Sequence, residues 1–339
     1  MWRRIQAWCF GATRAYQLGI FRPLLTLWIA HDYLVRVFPR LREIAGRSPE
    51  FLDPPLLARA LGGLGLPIPP AAGQLSLLGA LAIVLTTAAL IGVLTRPALI
   101  GLAALNLYFG AAVHAWGYAA HSAALPALVL VVIAFAPGVE SFSLDAWLAA
   151  RRARRRGQPP RESAAISAWP VRLTLLLLCL FYFASGVAKL RHAGPAWADG
   201  RTLAFYLSGG SRLGGGEPQR FIADPAAPAS EKWRDGAGLV DYAYLGRPTA
   251  LGLATSRSAT TTRLIALGTL LFELSFPLAL LGRRLLFGYL LAGALFHLGI
   301  IATLRIEFWS YLVVYLLFVD WLALADWLKR RVRRLPRAA

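Results

Sequence analysis

Apolar runs of about 20 residues recur along this chain, and that recurrence constrains its fold more than any other feature, because each run is long enough to cross a hydrocarbon core. Seven runs carry the signal clearly: Leu75–Leu94, Pro97–Ala115, Ser122–Pro137, Val171–Ala188, Leu264–Leu281, Leu285–Leu304 and Phe308–Trp327. An eighth, Leu18–Phe38, is interrupted by Arg22, His31, Asp32 and Arg36. Hydrophobic residues make up 57% of the 339 and charged residues only 16%, too little charge to cover a soluble domain of this size. The expected fold is all-α, a polytopic membrane helix bundle of about eight spans with both termini cytoplasmic. It forms one domain over 1–339. No small-residue cleavage site follows an apolar stretch at the N-terminus, so no cleavable signal peptide is expected.

The net charge of +19 would suit a nucleic-acid binder, but the basic residues fall in short runs between the apolar stretches. That is the pattern of topology signals and lipid headgroup contacts, so the bilayer is the expected partner and nucleic acid is not. With the N-terminus inside, Arg3, Arg4 and Arg14, the cluster Arg151–Arg156, the pair Arg283–Arg284 and the tail from Lys329 to Arg337 all fall on the inner side. The outer side receives the proline-rich segment 39–74, expected to be irregular, and the extracytoplasmic loop region 191–262, rich in Gly, Pro and Ser. Within that region Thr202–Leu207 and Leu239–Leu245 read as amphipathic pieces along the interface. The Arg- and Ala-rich composition points to a bacterial inner membrane. Cys9 and Cys179 fall at different depths, so no disulfide is expected, and the absence of a Cys/His cluster gives a metal no support. No internal repeat supports an inverted-repeat transporter.

Ionisable groups at membrane depth are expensive, and each is therefore a functional candidate. They are His31 and Asp32 in the first span, His114 ending the third, His121 opening the fourth, Lys189 ending the fifth, Glu273 in the sixth and His297 in the seventh. The topology brings His31, His114, His121, Lys189 and His297 to one level in the outer half of the membrane. That clustering at one face disfavours a channel, whose ionisable groups would line a path through. Each residue also has a structural reading. Lys189 could snorkel to the interface, His114 and His121 could be satisfied by water at a tight hairpin, and His297 could bond across helices. Glu273 and Asp32 could pair with Arg22 or with each other's neighbours.

The segment around Lys189 adds a motif. Phe181-Tyr-Phe-Ala-Ser-Gly-Val-Ala-Lys-Leu190 is followed by Trp197-Ala-Asp-Gly200 and then Thr202-Leu-Ala-Phe-Tyr-Leu207. This order resembles the vitamin K-dependent γ-carboxylase and its bacterial relatives, the HTTM-domain family. Ala136-Pro-Gly138 with Ser143-Leu-Asp-Ala146, Phe272-Glu-Leu-Ser-Phe-Pro277 and Phe296-His-Leu-Gly-Ile300 agree in order, so the resemblance covers roughly residues 15–327. It implies a quinol-dependent enzyme that uses a reduced vitamin K or menaquinone-type quinol with O₂ and CO₂ to carboxylate glutamate of a secreted peptide at the outer face. Lys189 matches the base that deprotonates the quinol. The candidate catalytic residues are therefore Lys189, His297 and His121, and the candidate cofactor contacts are Tyr182, His114, Glu273 and Trp197. An amine removed from water loses preference for its charged form, as that role requires. The carboxylases carry a large soluble region that binds the peptide, and here only the 191–262 loop, or a soluble accessory protein, is left to play that part. The alternative is a non-catalytic lipid- or quinone-binding protein that depends on a partner and serves peptide maturation or immunity.

Overall fold

The computed structural model describes residues 2–45, 54, 56–115, 121–158, 165–193, 195–208 and 248–332. Helix α1 (Trp2–Phe10) leads through strand β1 (Ala12–Arg14) into α2 (Ala15–Asp32), which continues through a π turn (Tyr33–Val37) into α3 (Phe38–Ala45). Next come α4 (Leu56–Gly63), the hairpin of α5 (Ala72–Ile91) and α6 (Thr95–Val113), α7 (His121–Ala134), α8 (Leu144–Arg155) and strand β2 (Ala165–Ser167). Helix α9 (Trp169–Ala193) is followed by the short α10 (Pro195–Ala198) and α11 (Arg201–Leu207). The last part holds α12 (Ala250–Ser256), α13 (Ala259–Ser275) with a 3-10 extension (Phe276–Leu281), α14 (Arg283–Leu304), α15 (Trp309–Tyr315) with a 3-10 turn (Leu316–Phe318), and α16 (Trp321–Val332).

Helices α5, α6, α9, α13 with its extension, and α14 are long and apolar enough to cross a membrane, and α15 with α16 would make a sixth if counted as one broken span. Leu77 on α5, Leu271 on α13 and Leu291 on α14 leave 73%, 71% and 64% of their surface exposed. Aliphatic faces of that kind are costly in water and suited to acyl chains. This is the make-up of an integral membrane helix bundle, in agreement with the expected class.

The expected spans that read weakly or ran long differ in informative ways. The charged stretch after Leu18 is helical, but α2 lies inside the bundle against α5, α7 and α15, with Leu18, Phe21, Leu25 and Ile29 buried. Protein encloses Arg22, which is why it is tolerated at 1% exposure: its Nη2 donates to the Phe142 carbonyl at 3.0 Å. The fourth stretch forms only the 14-residue α7, also packed inside through Val129, Leu130 and Ile133. The last stretch is not one straight helix. It breaks before Trp321, where α16 turns 84° from the line of α15. The break is held by Asp320, which accepts from Tyr16 Oη at 2.9 Å and from the Ala323 amide at 3.1 Å. The segment expected to be irregular carries α3 and α4. Of the two amphipathic pieces, Thr202–Leu207 falls in α11, and Leu239–Leu245 lies outside the described residues. Both cysteines are free.

The basic clusters meet at one end of the bundle, where the turns interlock. Strand β1 pairs antiparallel with β2, joining residues before α2 to residues before α9. Gly19 packs so closely on the turn before α8 that a Cβ there would lie 2.4 Å from the Ser141 carbonyl oxygen. Asp145 accepts from the Thr95 amide at 2.7 Å, the Thr95 hydroxyl at 2.8 Å and the Leu94 amide at 3.2 Å. Burial opposes charge on Asp145, but these donors and nearby Arg22 outweigh it and hold the carboxyl below its ordinary 3.8. Its contribution to stability is therefore complete above that ordinary value and is lost as pH falls through the lowered one. The Asp145→Asn protein should lack this term, so its unfolding midpoint should change less than wild type between about pH 5 and pH 3. Equal acid sensitivity of the two proteins would show that Asp145 does not set it.

Candidate functional site

Lys189 and Glu273 come together because a glycine stands one helical turn before the lysine. A Cβ on Gly186 would lie 3.0 Å from the Leu274 side chain and 3.2 Å from Glu273 Cβ. The bare glycine thus lets α9 and α13 approach. Lys189, three residues on and so on the same helix face, then donates to both carboxylate oxygens of Glu273, at 2.7 and 2.8 Å. The side chains are 22% and 4% exposed respectively. About 25 Å of helix separates Lys189 from Arg172 near the start of α9, which places the pair far from the basic end.

Trp197 covers the pair. The Lys189 Nζ lies 5.3 Å from the centroid of its ring, in cation–π range. Helix α10 folds back to this position, and Gly200 then turns the chain into α11 with φ +82°. A Cβ at Gly200 would lie 2.4 Å from the Arg263 amide nitrogen, so the close approach also requires glycine. Trp197 rests on Leu203, Leu207 and Ala266. Its indole Nε1 is buried and has no hydrogen-bond partner among the described residues.

About two helical turns toward the basic end along α9 lies a second polar group. Tyr182 Oη bonds His297 Nε2 at 2.6 Å and also makes a short bond to Tyr315 Oη. Tyr182 and His297 are 3% and 2% exposed. Gly293 makes the space, since a Cβ there would lie 2.3 Å from Tyr315 Oη. Aromatic rings enclose the group: Phe276 stacks on Tyr182 at 4.1 Å, Phe308 stacks on His297 at 4.9 Å, and Tyr311 lies 4.9 Å from His297. The Tyr182 and Tyr315 hydroxyls and His297 Nε2 bond one another, which lowers the cost of burying them at this depth.

Of the residues singled out in the sequence, Lys189, Glu273 and Trp197 therefore form one cluster, and Tyr182 with His297 a second, deeper one. The structural reading that His297 bonds across helices holds. Glu273 pairs with Lys189, not Arg22, and Asp32 pairs with Arg36. His114 bonds the Gly110 carbonyl of its own helix at 2.6 Å, and α6 packs chiefly on α3, α4, α5 and α7, away from the pair. His31 is exposed and stacks on Trp28 at 5.5 Å. His121 opens α7, but its side chain lies outside the described residues. Tyr315 and Tyr311 were missed. Their signal was present as tyrosines four apart in an otherwise apolar span, each needing a partner for its hydroxyl. No group of three or more His, Cys, Asp or Glu suited to a metal occurs among the described residues.

The fold and site define an all-α membrane bundle with a half-buried lysine–carboxylate pair beside an aromatic-walled hydrogen-bond cluster. Comparison with protein families, curated proteins and solved structures found no match.

Proposed function

We propose that this chain is a membrane enzyme of the carboxylase-like kind its motif resembles, acting with a reduced naphthoquinone on a secreted peptide at the end of the bundle away from the basic clusters. The reading includes eight crossings, α2 and α7 among them, both termini in the cytoplasm of a bacterium, and residues 191–262 outside. Its main support is the buried indole N–H of Trp197, which has no hydrogen-bond partner among the described residues and belongs to the ring that lies against the Lys189 ammonium. A buried donor without an acceptor is costly, and a quinone oxygen is an acceptor of the kind missing there. The Lys189 ammonium lies against the same ring and apolar side chains back it, a donor set suited to a quinone oxygen.

When bound and oxidised by O₂, the quinol supplies a base able to remove a glutamate γ-proton, ending as its epoxide with release of water, and the carbanion takes up CO₂. The chain's own residues bind, orient and hold protons. Lys189 starts as an ammonium. Transfer of its proton across the 2.7 Å contact to Glu273 leaves a neutral amine that can accept a proton from a ligand hydroxyl. Trp197 donates to the ligand oxygen and closes the site to water. The Tyr182–His297–Tyr315 group, about two turns deeper, braces α9 against α14 and α15 and so helps to hold Lys189 in position.

The bidentate Lys189–Glu273 pair also favours a second reading, a non-catalytic quinone- or lipid-binding protein in which the pair is purely structural. Menaquinol-dependent O₂ uptake by the purified protein in nanodiscs separates the two. Wild type should consume O₂, and Lys189→Ala should lose at least about 100-fold of that rate. Lys189→Arg should fail as well, because a guanidinium cannot be deprotonated. Unchanged uptake in Lys189→Ala would overturn the enzymatic reading, and menaquinol binding without uptake by wild type would favour the second.

A further inference from the structure

Two helices at the basic end are almost unsupported by the rest of the protein. None of the residues of α8 is buried, and Trp147 on it is 55% exposed. On α16, Leu322, Trp327 and Leu328 are exposed together with Lys329, Arg330 and Arg331. Each helix carries the same device: an arginine placed four residues after a tryptophan and stacked on its ring, Arg151 at 5.4 Å from Trp147 and Arg331 at 5.0 Å from Trp327. Each ends in basic residues, Arg152, Arg154 and Arg155 on α8 and the triplet Lys329–Arg331 on α16.

Both helices are anchored to the start of α2. A Cβ on Gly138, in the turn before α8, would lie 2.9 Å from Ala15 Cβ, and Tyr16 holds Asp320 just before α16. The 84° bend turns α16 away from the line of α15, and its exposed Leu322, Trp327 and Leu328 suit it to lie along the boundary where an apolar belt would end. Tryptophan with stacked arginine suits that boundary, the ring body meeting acyl chains and the guanidinium meeting phosphate.

We infer that α8 and α16 together form a binding surface for the headgroups of anionic phospholipids in the protein's own bilayer. The surface carries Arg151, Arg152, Arg154 and Arg155 on α8 and Lys329, Arg330 and Arg331 on α16, and a guanidinium suits phosphate oxygens. Together the basic residues there should give at least about a fivefold preference for an anionic over a zwitterionic lipid, the worth of one fully effective charge near the surface.

The test is native mass spectrometry of the full chain in neutral detergent with an equimolar mixture of phosphatidylglycerol and phosphatidylcholine. Wild type should retain phosphatidylglycerol at least about fivefold over phosphatidylcholine. Arg151→Gln with Arg152→Gln in α8, and Arg330→Gln with Arg331→Gln in α16, should each reduce that preference, and the four together should remove most of it at unchanged helical content. Equal retention of the two lipids by wild type, or an undiminished preference in the fourfold variant, would overturn the inference. So would a short RNA that binds wild type and displaces the lipid. Should the fourfold variant fail to fold, Trp327→Phe in wild type decides. It should lower the quenching of tryptophan fluorescence by phosphatidylglycerol with brominated chains more than by brominated phosphatidylcholine, and equal change with both lipids would count against the inference.

Discussion

Lys189→Met is expected to destabilise the protein by about 3–5 kcal/mol, because it leaves the Glu273 carboxylate, 4% exposed, without its cation. Glu273→Met should cost less, about 1–2 kcal/mol. Lys189 is near the end of α9 and 22% exposed, so its ammonium can straighten toward the interface when the carboxylate is removed. The double variant should recover most of the loss, since two apolar side chains of similar volume remove both desolvated charges at once. Unfolding midpoints in detergent for the three variants, read as a double-mutant cycle, measure this directly. An equal cost for the single variants, or additive costs in the double, would mean that the pair is solvated and that the site is not sealed by Trp197. Since the cycle reads stability alone, it is independent of whether the protein has an enzymatic activity.

The turn between α5 and α6 should be nearly as sensitive. Gly92 has φ +77°, and its amide donates to the Ala88 carbonyl at 2.8 Å while its own carbonyl receives the Asp145 amide at 3.0 Å. An alanine Cβ would lie 2.3 Å from Ser143 Cβ and 2.5 Å from Arg22 Nη1. Neither neighbour can easily move, because Ser143 caps α8 through the Ala146 amide and Arg22 is enclosed. Left-handed strain and overpacking together should cost Gly92→Ala roughly 3 kcal/mol, a drop of roughly 4 °C in thermal midpoint for a chain of this length. Gly65 is the control. It also has positive φ, at +83°, but nothing lies within 4 Å of the position a Cβ would take, so Gly65→Ala should show only the conformational part, about 1–2 kcal/mol. Equal losses at the two glycines would place the whole effect in the backbone and none in the junction.

The helices that face lipid were legible because lipid imposes composition. α5, α9, α13 and α14 occur close to where their apolar runs lie. The inner helices were harder to read for the opposite reason. α2 need not be apolar all round when α5, α7 and α15 surround it, and α7 is short enough that 14 residues suffice inside the bundle. The break before Trp321 was hidden, although Asp320 within an apolar run is where it occurs. Helix α8 has the Ser143 cap and basic last turn that mark a helix, but in the sequence these residues stand out as a basic run and not as a helix. At the site, Lys189, Tyr182, Trp197, Glu273 and His297 stood out individually because ionisable, indole and phenol groups are conspicuous among apolar neighbours. Their division into two clusters was not legible. Lys189 and Glu273 are joined across helices by a tertiary approach at Gly186, and nothing in the local pattern of either segment specifies the other.

The strand pair β1–β2 carries a consequence that charge counting does not. A ladder in which Ala12 faces Ser167 and Arg14 faces Ala165 can close only if both segments emerge into the same compartment. Between them the chain must therefore traverse the bilayer an even number of times. With α5 and α6, each long enough to cross, taken as a there-and-back pair, α2 and α7 either both cross or both do not. A reporter that found one of these two helices spanning and the other not would be incompatible with the ladder, whatever the distribution of arginines.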